Sequence, residues 1–277
     1  VLTVLFYSLQ LYFDFSGYCD MAMGLAMMLG VKLPLNFNSP YKAVNIVDFW
    51  KRWHITLGRF FTKNIYIPLG GNRHGKGRMC LNFLIVFFLS GLWHGAGWNF
   101  IFWGIIHGIL YVITKMSENV FNRSGRALNK SAYKNERAAL CVNKVSTIIG
   151  RILTFAYVSL AWVYFRAPSV KYANHMLLSI VNTEWTAPAK AFVDGFNLPE
   201  FWYALKVLHL ADFSFSIYII MICFTIFSLI LVFCGKNTYE LSENTAFKVP
   251  TAIMLAVIFV WCVVSLSGVS TFLYFNF

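Results

Sequence analysis

Long apolar stretches make up most of the chain, and short clusters of charged residues separate them. Three stretches contain no Asp, Glu, Lys or Arg: residues 79–114, 213–235 and 249–277. A helix needs roughly 20 apolar residues to cross a hydrocarbon core about 30 Å thick, so each stretch predicts at least one membrane span. The period-2 alternation of barrel strands is absent from them, so we expect the spans to be helical.

Basic residues are concentrated in two segments, residues 41–78 and 115–151. Each contains eight Lys and Arg residues, against one acidic residue in the first segment and two in the second. Basic loops favour the cytoplasmic side, so both segments should be cytoplasmic. An even number of spans must then connect them, and the uncharged run between them is long enough for two short ones. Further spans are expected in the first thirty residues, near residues 145–165 and in the other two uncharged stretches, which gives about six. Residues 166–211, whose charges roughly balance, should then be extracytoplasmic. The predicted fold class is all-α, a polytopic transmembrane helical protein.

Two features depart from simple spans. Residues 48–71 are rich in both aromatic side chains and cations, which is typical of an interfacial or re-entrant element. Asp14 and Asp20 lie inside the first apolar segment, where an ionised carboxylate is costly and usually faces a polar cavity or a partner. No repeat or low-complexity linker divides the sequence, so we expect one membrane-embedded domain over residues 1–277. Because the chain begins directly in an apolar stretch without a basic leader, we expect further spans upstream of it.

Composition narrows the class of protein further. Apolar residues make up 58% of the chain and charged residues 12%, which argues against a water-soluble domain. The formal net charge of +12 would suit a nucleic-acid-binding protein, but an excess of Lys and Arg in a membrane protein records topology and contact with anionic lipid. The six cysteines are scattered without a C-x-x-C pair, so we expect neither disulfides nor a bound metal.

His94 is the strongest candidate for a reacting residue. It lies in the middle of the longest uncharged run, and Gly95 and Gly97 allow the helix to break and a substrate to approach. Burial away from water favours a neutral imidazole, which could accept the proton of a hydroxyl that attacks a thioester. The alternative is a structural histidine that forms a hydrogen bond between helices.

His107 follows His94 in the same uncharged run. On one continuous helix the two rings would not share a face. They converge only if the glycine-rich stretch turns the chain, as the two-span topology also requires. We expect His107 to support the site.

His54 follows a basic and aromatic cluster formed by Lys51, Arg52 and Trp53. This cluster could bind a phosphate-bearing donor, or it could be an interfacial anchor of cations beneath an aromatic belt. The chain has no Walker motif, no G-x-S-x-G elbow and no H-E-x-x-H helix, which argues against P-loop nucleotide binding, serine esterases and zinc proteases.

Six motifs in one order resemble the membrane-bound O-acyltransferase (MBOAT) family. They are Y-F-D-F-S-G-Y-C-D-M-A-M-G-L (12–25), N-F-N-S-P-Y (36–41), D-F-W-K-R-W-H-I-T-L (48–57), Y-I-P-L-G-G-N-R (66–73), G-L-W-H-G-A (91–96) and I-I-H-G (105–108). The resemblance covers about residues 1–115 and is greatest to the bacterial branch that contains the alginate O-acetylation membrane protein. It implies a fold of many helices around a tunnel. His94 matches the reacting histidine of the family, and His54 and His107 match two further histidines of this branch.

The resemblance also implies a function, that of a multi-pass O-acyltransferase of the bacterial inner membrane. An acetyl group would pass from a cytoplasmic thioester donor, acetyl-CoA or a carrier thioester, to a hydroxyl of an extracytoplasmic polysaccharide. An exported acetyltransferase- or esterase-like partner protein often takes part, and no cofactor is bound. We expect His94 to act as the base, His54 to position or polarise the donor, His107 to support them, and Asp14 and Asp20 to line the polar path. The alternatives are transfer of D-alanine or of an acyl group to a lipid and, in another class, a membrane transporter or channel.

Overall fold

The apolar stretches of the sequence fold into helices. The computed structural model describes residues 1–128, 136–182, 188–196, 206–207, 215–244 and 248–265, and every regular element in these ranges is helical. The chain divides into two compact units, Val1–Thr183 and Glu184–Phe275. The helices of the first unit are α1 (Leu2–Met28), α2 (Ile46–Arg52), α3 (Ile55–Phe61), α4 (Gly75–His94), α5 (Trp98–Leu128), α6 (Glu136–Arg166) and α7 (Val170–Asn182).

The second unit contains the two last apolar runs. Its helices are α8 (Lys190–Val193), α9 (Ser216–Phe233), α10 (Thr238–Asn244) and α11 (Val249–Ser265). A 3₁₀ turn at Asp194–Phe196 follows α8 directly. The predicted extracytoplasmic stretch and the end of the last apolar run lie partly outside the described residues.

Four helices among the described residues are long and apolar enough to cross a membrane. They are Gly75–His94, Trp98–Glu118, Lys144–Arg166 and Ser216–Phe233, and Val249–Val263 is a shorter apolar helix. The all-α polytopic fold is therefore confirmed, and the uncharged run at residues 79–114 forms two antiparallel helices, as predicted. The first apolar segment forms α1, whose 27 residues include Asp14 and Asp20.

The α4–α5 pair is packed backbone to backbone. A Cβ added at Gly104 would collide with the carbonyl oxygen of Phe87, and one at Gly91 would lie 2.5 Å from the carbonyl oxygen of Phe100. Glycine at these positions lets the two helices approach closely, as small residues do in membrane helix pairs. The chain reverses between them at residues 95–97, where the glycine pair predicted a break.

Polar anchors and aromatic stacking attach α6 to this pair. The Asn99 side-chain amide, near the start of α5, donates 2.9 Å to the carbonyl oxygen of Ala167, just past the end of α6. Tyr157 of α6 donates its hydroxyl to the carbonyl oxygen of Ile106 at 2.9 Å. Trp103 and Trp162 stack between the two helices with ring centroids 5.5 Å apart, and both are almost completely buried. This aromatic core lies beside the candidate histidines.

The aromatic, cation-rich segment after α1 forms short helices. Helices α2 and α3 have seven residues each, which is roughly 10 Å of helix and too short to cross a bilayer. A π-helical turn at Thr62–Tyr66 follows α3. The next turn is held from α4, where the buried Asn82 amide donates to the carbonyl oxygens of Leu69 and Gly71 at 3.2 and 2.9 Å. This segment has the short, broken helices expected of an interfacial or re-entrant element.

Candidate active site

His54 lies at a sharp bend between α2 and α3. Its backbone is left-handed, with φ 46° and ψ 52°, and Trp53 before it is extended. This conformation costs a residue with a Cβ roughly 1–2 kcal/mol, so surrounding contacts must hold it. Strained backbone of this kind is concentrated at functional sites.

The side-chain amide of Asn36 is the centre of the contacts at this bend. Its Oδ1 accepts from the backbone N–H and the hydroxyl of Thr56 at 3.2 and 2.8 Å, and lies 3.1 Å from Nδ1 of His54. Its Nδ2 donates to Sγ of Cys19 on α1 at 3.3 Å, and its carbonyl oxygen accepts from the backbone N–H of Ile55 at 3.0 Å. Asn36 thus ties α1 to the start of α3. The sequence placed Asn36 in the motif N-F-N-S-P-Y but assigned it no role, although that motif was the available signal.

His94 is the last residue of α4, immediately before the chain reverses. Aromatic rings surround it, with centroids 4.9 Å away for Trp93, 5.3 Å for Trp103 and 5.0 Å for Phe165. The His54 ring lies 6.5 Å from one member of this group, the indole of Trp93. One exposed indole, that of Trp93, therefore contacts two of the three histidines that the motifs indicated, His54 and His94.

His107 is completely buried on α5. Its ring packs against the rings of Trp50, Trp103 and Tyr157, with centroids 5.2, 5.0 and 5.4 Å away. Neither ring nitrogen has a hydrogen-bond partner among the described residues. The helical reversal does bring His107 and His94 together, because both rings contact Trp103.

A cavity of about 410 Å³ opens beside His54. This volume lies within the usual range of small-molecule sites. Three cations line it, Lys51, Arg59 and Lys63, and the remaining walls are mostly apolar and come from α2, α3, α4 and Tyr111 of α5. His94 is not part of the lining formed by the described residues. The cavity therefore combines cations with an apolar wall, and of the three candidate histidines it reaches His54.

Of the three residues expected to bind the donor, Lys51, Arg52 and Trp53, only the first is part of the cavity lining among the described residues. Lys51 lines the cavity. The Arg52 guanidinium instead donates from Nε to the Asp48 carboxylate at 2.8 Å and from Nη1 to the carbonyl oxygen of Asn38 at 3.3 Å. Trp53 is 4% exposed and packs in the aromatic core. Two further cations, Arg59 and Lys63, line the cavity and were not among the expected residues. Their four-residue spacing places them on one face of a helix, and this spacing could have indicated them from the sequence.

Asp14 and Asp20 both lie on α1 and are half-buried. Asp20 neighbours Cys19, the α1 residue that accepts from Asn36. Neither carboxylate is part of the cavity lining among the described residues. Their expected place along a polar path stays a prediction.

The protonation state of His54 follows from its surroundings. His54 lies outside the four candidate spans, and burial lowers the pKa of its ring to about 4. Desolvation disfavours the charged imidazolium, so the ring is neutral near pH 7. A neutral imidazole has one N–H donor and one lone pair that accepts a proton. At cellular pH the ring therefore stays neutral, with one nitrogen that donates a hydrogen bond and one that accepts a hydrogen bond.

Comparison with known proteins relates the chain to a protein family. Residues 1–130 match the family model described as MBOAT, the membrane-bound O-acyltransferase family. The peptidoglycan O-acetyltransferase of Helicobacter pylori is 38% identical to the chain over 286 residues, which cover 100% of the chain and 49% of that relative. The probable alginate O-acetylase AlgI of Pseudomonas aeruginosa is 38% identical over 175 residues, or 63% of the chain and 30% of the relative.

A third relative is named for the transfer of a different group, D-alanine. The teichoic acid D-alanyltransferase of Bacillus subtilis is 30% identical over 166 residues, or 57% of the chain and 39% of that protein. The chain thus spans about half the length of the Helicobacter relative and smaller shares of the other two. Together with the apolar helices, these matches identify a membrane protein.

Proposed function

With its first 130 residues, the chain belongs to the membrane-bound O-acyltransferase family, and on this premise we propose that it transfers an acetyl group from a thioester donor to a hydroxyl of an extracytoplasmic glycan polymer. The observation that carries the proposal is the placement of His54 and His94 on one indole, that of Trp93, with the cation-lined cavity beside His54. The donor is acetyl-CoA or an acetylated carrier, and it enters from the cytoplasmic side of the bacterial inner membrane.

The cavity suits a thioester that carries phosphate. Cations bind phosphate oxygens, and an apolar wall accommodates the uncharged arm that leads to the sulfur. Lys51, Arg59 and Lys63 provide the first feature and the aromatic and aliphatic side chains of α3 and α4 the second. In this arrangement the thioester end of the donor lies toward His54.

His94 then acts as the general base. Its neutral imidazole takes the proton of the acceptor hydroxyl as the oxygen attacks the carbonyl carbon of the thioester. The C–O bond forms, the C–S bond breaks, and the sulfur leaves as a thiolate that recovers the proton from His94. A positioned base of this kind contributes roughly 10²–10⁴-fold to the rate. His54 contacts the donor, and His107 supports the indole that His94 also touches.

The relatives guide the choice of polymer. The Helicobacter peptidoglycan O-acetyltransferase matches along the whole chain, whereas the alginate O-acetylase matches 63% of it. We therefore propose peptidoglycan as the first acceptor to assay, reached directly or through an exported acetyltransferase- or esterase-like partner protein.

The test uses the full-length protein in its own cells. We expect His94→Ala to remove polymer O-acetylation at an unchanged protein level in the membrane. His175→Ala is the matched control, because His175 is exposed on α7, away from the cavity. Unchanged acetylation in the His94 variant would contradict the proposal. The mass of the group added to the polymer separates acetyl from D-alanyl transfer, and solute flux without acyl transfer by reconstituted protein would indicate a transporter.

A further inference from the structure

We propose that Asn36 is a positioning residue that fixes His54 in the tautomer with its proton on Nδ1, so that Nε2 meets the substrate as a hydrogen-bond acceptor. The identity of that substrate rests on the proposed function. The tautomer itself rests on the hydrogen bonds at the bend between α2 and α3.

The orientation of the Asn36 amide is settled by its neighbours. The backbone N–H of Thr56 lies 3.2 Å from one of the two terminal atoms of this amide. A backbone N–H can only donate, so that atom must be the oxygen, Oδ1. The other atom, Nδ2, is directed at Sγ of Cys19, a weak acceptor, at 3.3 Å. A flipped amide would place its NH₂ group against the N–H of Thr56 and lose both contacts.

The orientation of the amide determines the tautomer of His54. Nδ1 of His54 lies 3.1 Å from the same Oδ1. A carbonyl oxygen accepts hydrogen bonds and cannot donate them, so Nδ1 must carry the proton. A neutral imidazole has a single N–H, and Nε2 is then left with its lone pair.

The surroundings hold the ring in this orientation. The Asn36 segment is joined to the bend by two backbone hydrogen bonds, from Ile55 N–H to Asn36 O at 3.0 Å and from Asn38 N–H to Arg52 O at 2.9 Å. Phe15 packs edge-on against the His54 ring with centroids 4.9 Å apart. Turning the imidazole over would replace Nδ1 by a carbon atom opposite the Asn36 oxygen, and the contact would be lost.

His54 was expected either to position the donor or to polarise it, and this tautomer allows only the first role. An unprotonated Nε2 cannot donate a hydrogen bond to the thioester carbonyl, so it does not polarise that group. It can accept a hydrogen bond from an N–H of the donor arm or from a hydroxyl. His54 therefore positions a substrate group as an acceptor.

The direct test is the tautomer of His54 in the full-length protein. We would incorporate ¹³C,¹⁵N-labelled histidine, reconstitute the protein in liposomes at neutral pH, and assign the His54 signals by difference from His54→Ala. Solid-state NMR shifts distinguish Nδ1–H from Nε2–H. We expect a single Nδ1–H species. An Nε2–H species, or a doubly protonated ring, would overturn the proposal whether or not the protein acetylates a polymer.

Two substitutions at the same position test the role of Asn36. Asn36→Asp keeps an oxygen opposite Nδ1, so we expect it to retain the Nδ1–H signal and most of the turnover. Asn36→Leu removes the acceptor, so we expect a second tautomer to appear and kcat to fall by roughly 2- to 12-fold, as for the loss of one well-placed hydrogen bond.

The same chemical change on α7 provides the control. Asn174→Leu alters an exposed amide far along the chain, and we expect wild-type His54 signals from it. If Asn36→Leu reaches the membrane in normal amount and still shows only the Nδ1–H signal, Asn36 does not set the tautomer. If the tautomers behave as expected while His94→Ala leaves acetylation intact, the failure belongs to the proposed function alone.

Discussion

His94 and His107 contact the same indole, that of Trp103, with ring centroids 5.3 and 5.0 Å away. The first histidine ends α4 and the second lies inside α5, so the contact exists only because the chain reverses between the two helices. Trp103 is 1% exposed and carries this contact within the core. The geometry of the candidate site therefore depends on how closely the two helices approach.

Gly104→Ala should separate α4 from α5. The new Cβ would collide with the carbonyl oxygen of Phe87, and overpacking of this kind costs roughly 1–3 kcal/mol. We expect a lower thermal unfolding midpoint in detergent and reduced acyl transfer. Gly17→Ala on α1 is the control, because a Cβ there meets nothing within 4 Å and alanine favours the helix by up to about 1 kcal/mol. Equal midpoints for the two variants would argue against close packing at Gly104.

His107→Phe should leave the fold at least as stable as the wild type. Both nitrogens of the buried ring are without a hydrogen-bond partner among the described residues, and such a group costs about 1–3 kcal/mol. Phenylalanine keeps the aromatic packing and removes that cost. The unfolding midpoint measures the effect, and a clear decrease would mean that the imidazole nitrogens have stabilising partners. If turnover is lost while stability is kept, the supporting role of His107 depends on its ring nitrogens and not on its aromatic packing.

His54→Gly should be more stable than His54→Ala. Both variants lack the imidazole and should be equally inactive, so the comparison isolates the left-handed backbone, which glycine adopts freely. We expect a difference of about 1 kcal/mol in the free energy of unfolding. Denaturation of the two proteins under identical detergent conditions measures it. A more stable alanine variant would show that the bend relaxes once the ring is removed.

Arg59→Gln should raise the KM for the thioester donor and leave kcat nearly unchanged. Arg59 is exposed at the cavity, and exposed charge pairs contribute roughly 0.2–1 kcal/mol, so we expect an increase in KM of about 1.5- to 5-fold. The increase should shrink at high salt because ions screen exposed charges. Lys171→Gln on α7 makes the same charge change away from the cavity and should leave KM unchanged. A fall in kcat alone would remove Arg59 from donor binding.

Hydropathy and charge were sufficient to predict the helical architecture. The uncharged run at residues 79–114 predicted two helices with a break at its glycines, and these are α4 and α5. The same pattern set residues 48–71 apart as something other than a span. Such predictions succeed because a bilayer imposes helical spans of a narrow length range on any chain that crosses it.

The contacts of individual side chains were less accessible from sequence. Arg52 and Trp53 stood in the cluster expected to bind the donor, yet one forms an ion pair with Asp48 and the other lies in the aromatic core. Asn36 reaches His54 across a bend whose left-handed residue no periodicity indicates. Composition shows which side chains are present, but the direction each one takes depends on the backbone at a few irregular positions.

Helix α4 has a dual part in this arrangement. Ser90 belongs to the cavity wall, and His94 follows it by one helical turn. The cavity wall and the candidate histidine are thus two positions on the same helix. Because Ser90 and His94 belong to one continuous helix, a bound molecule that displaced Ser90 would also displace His94.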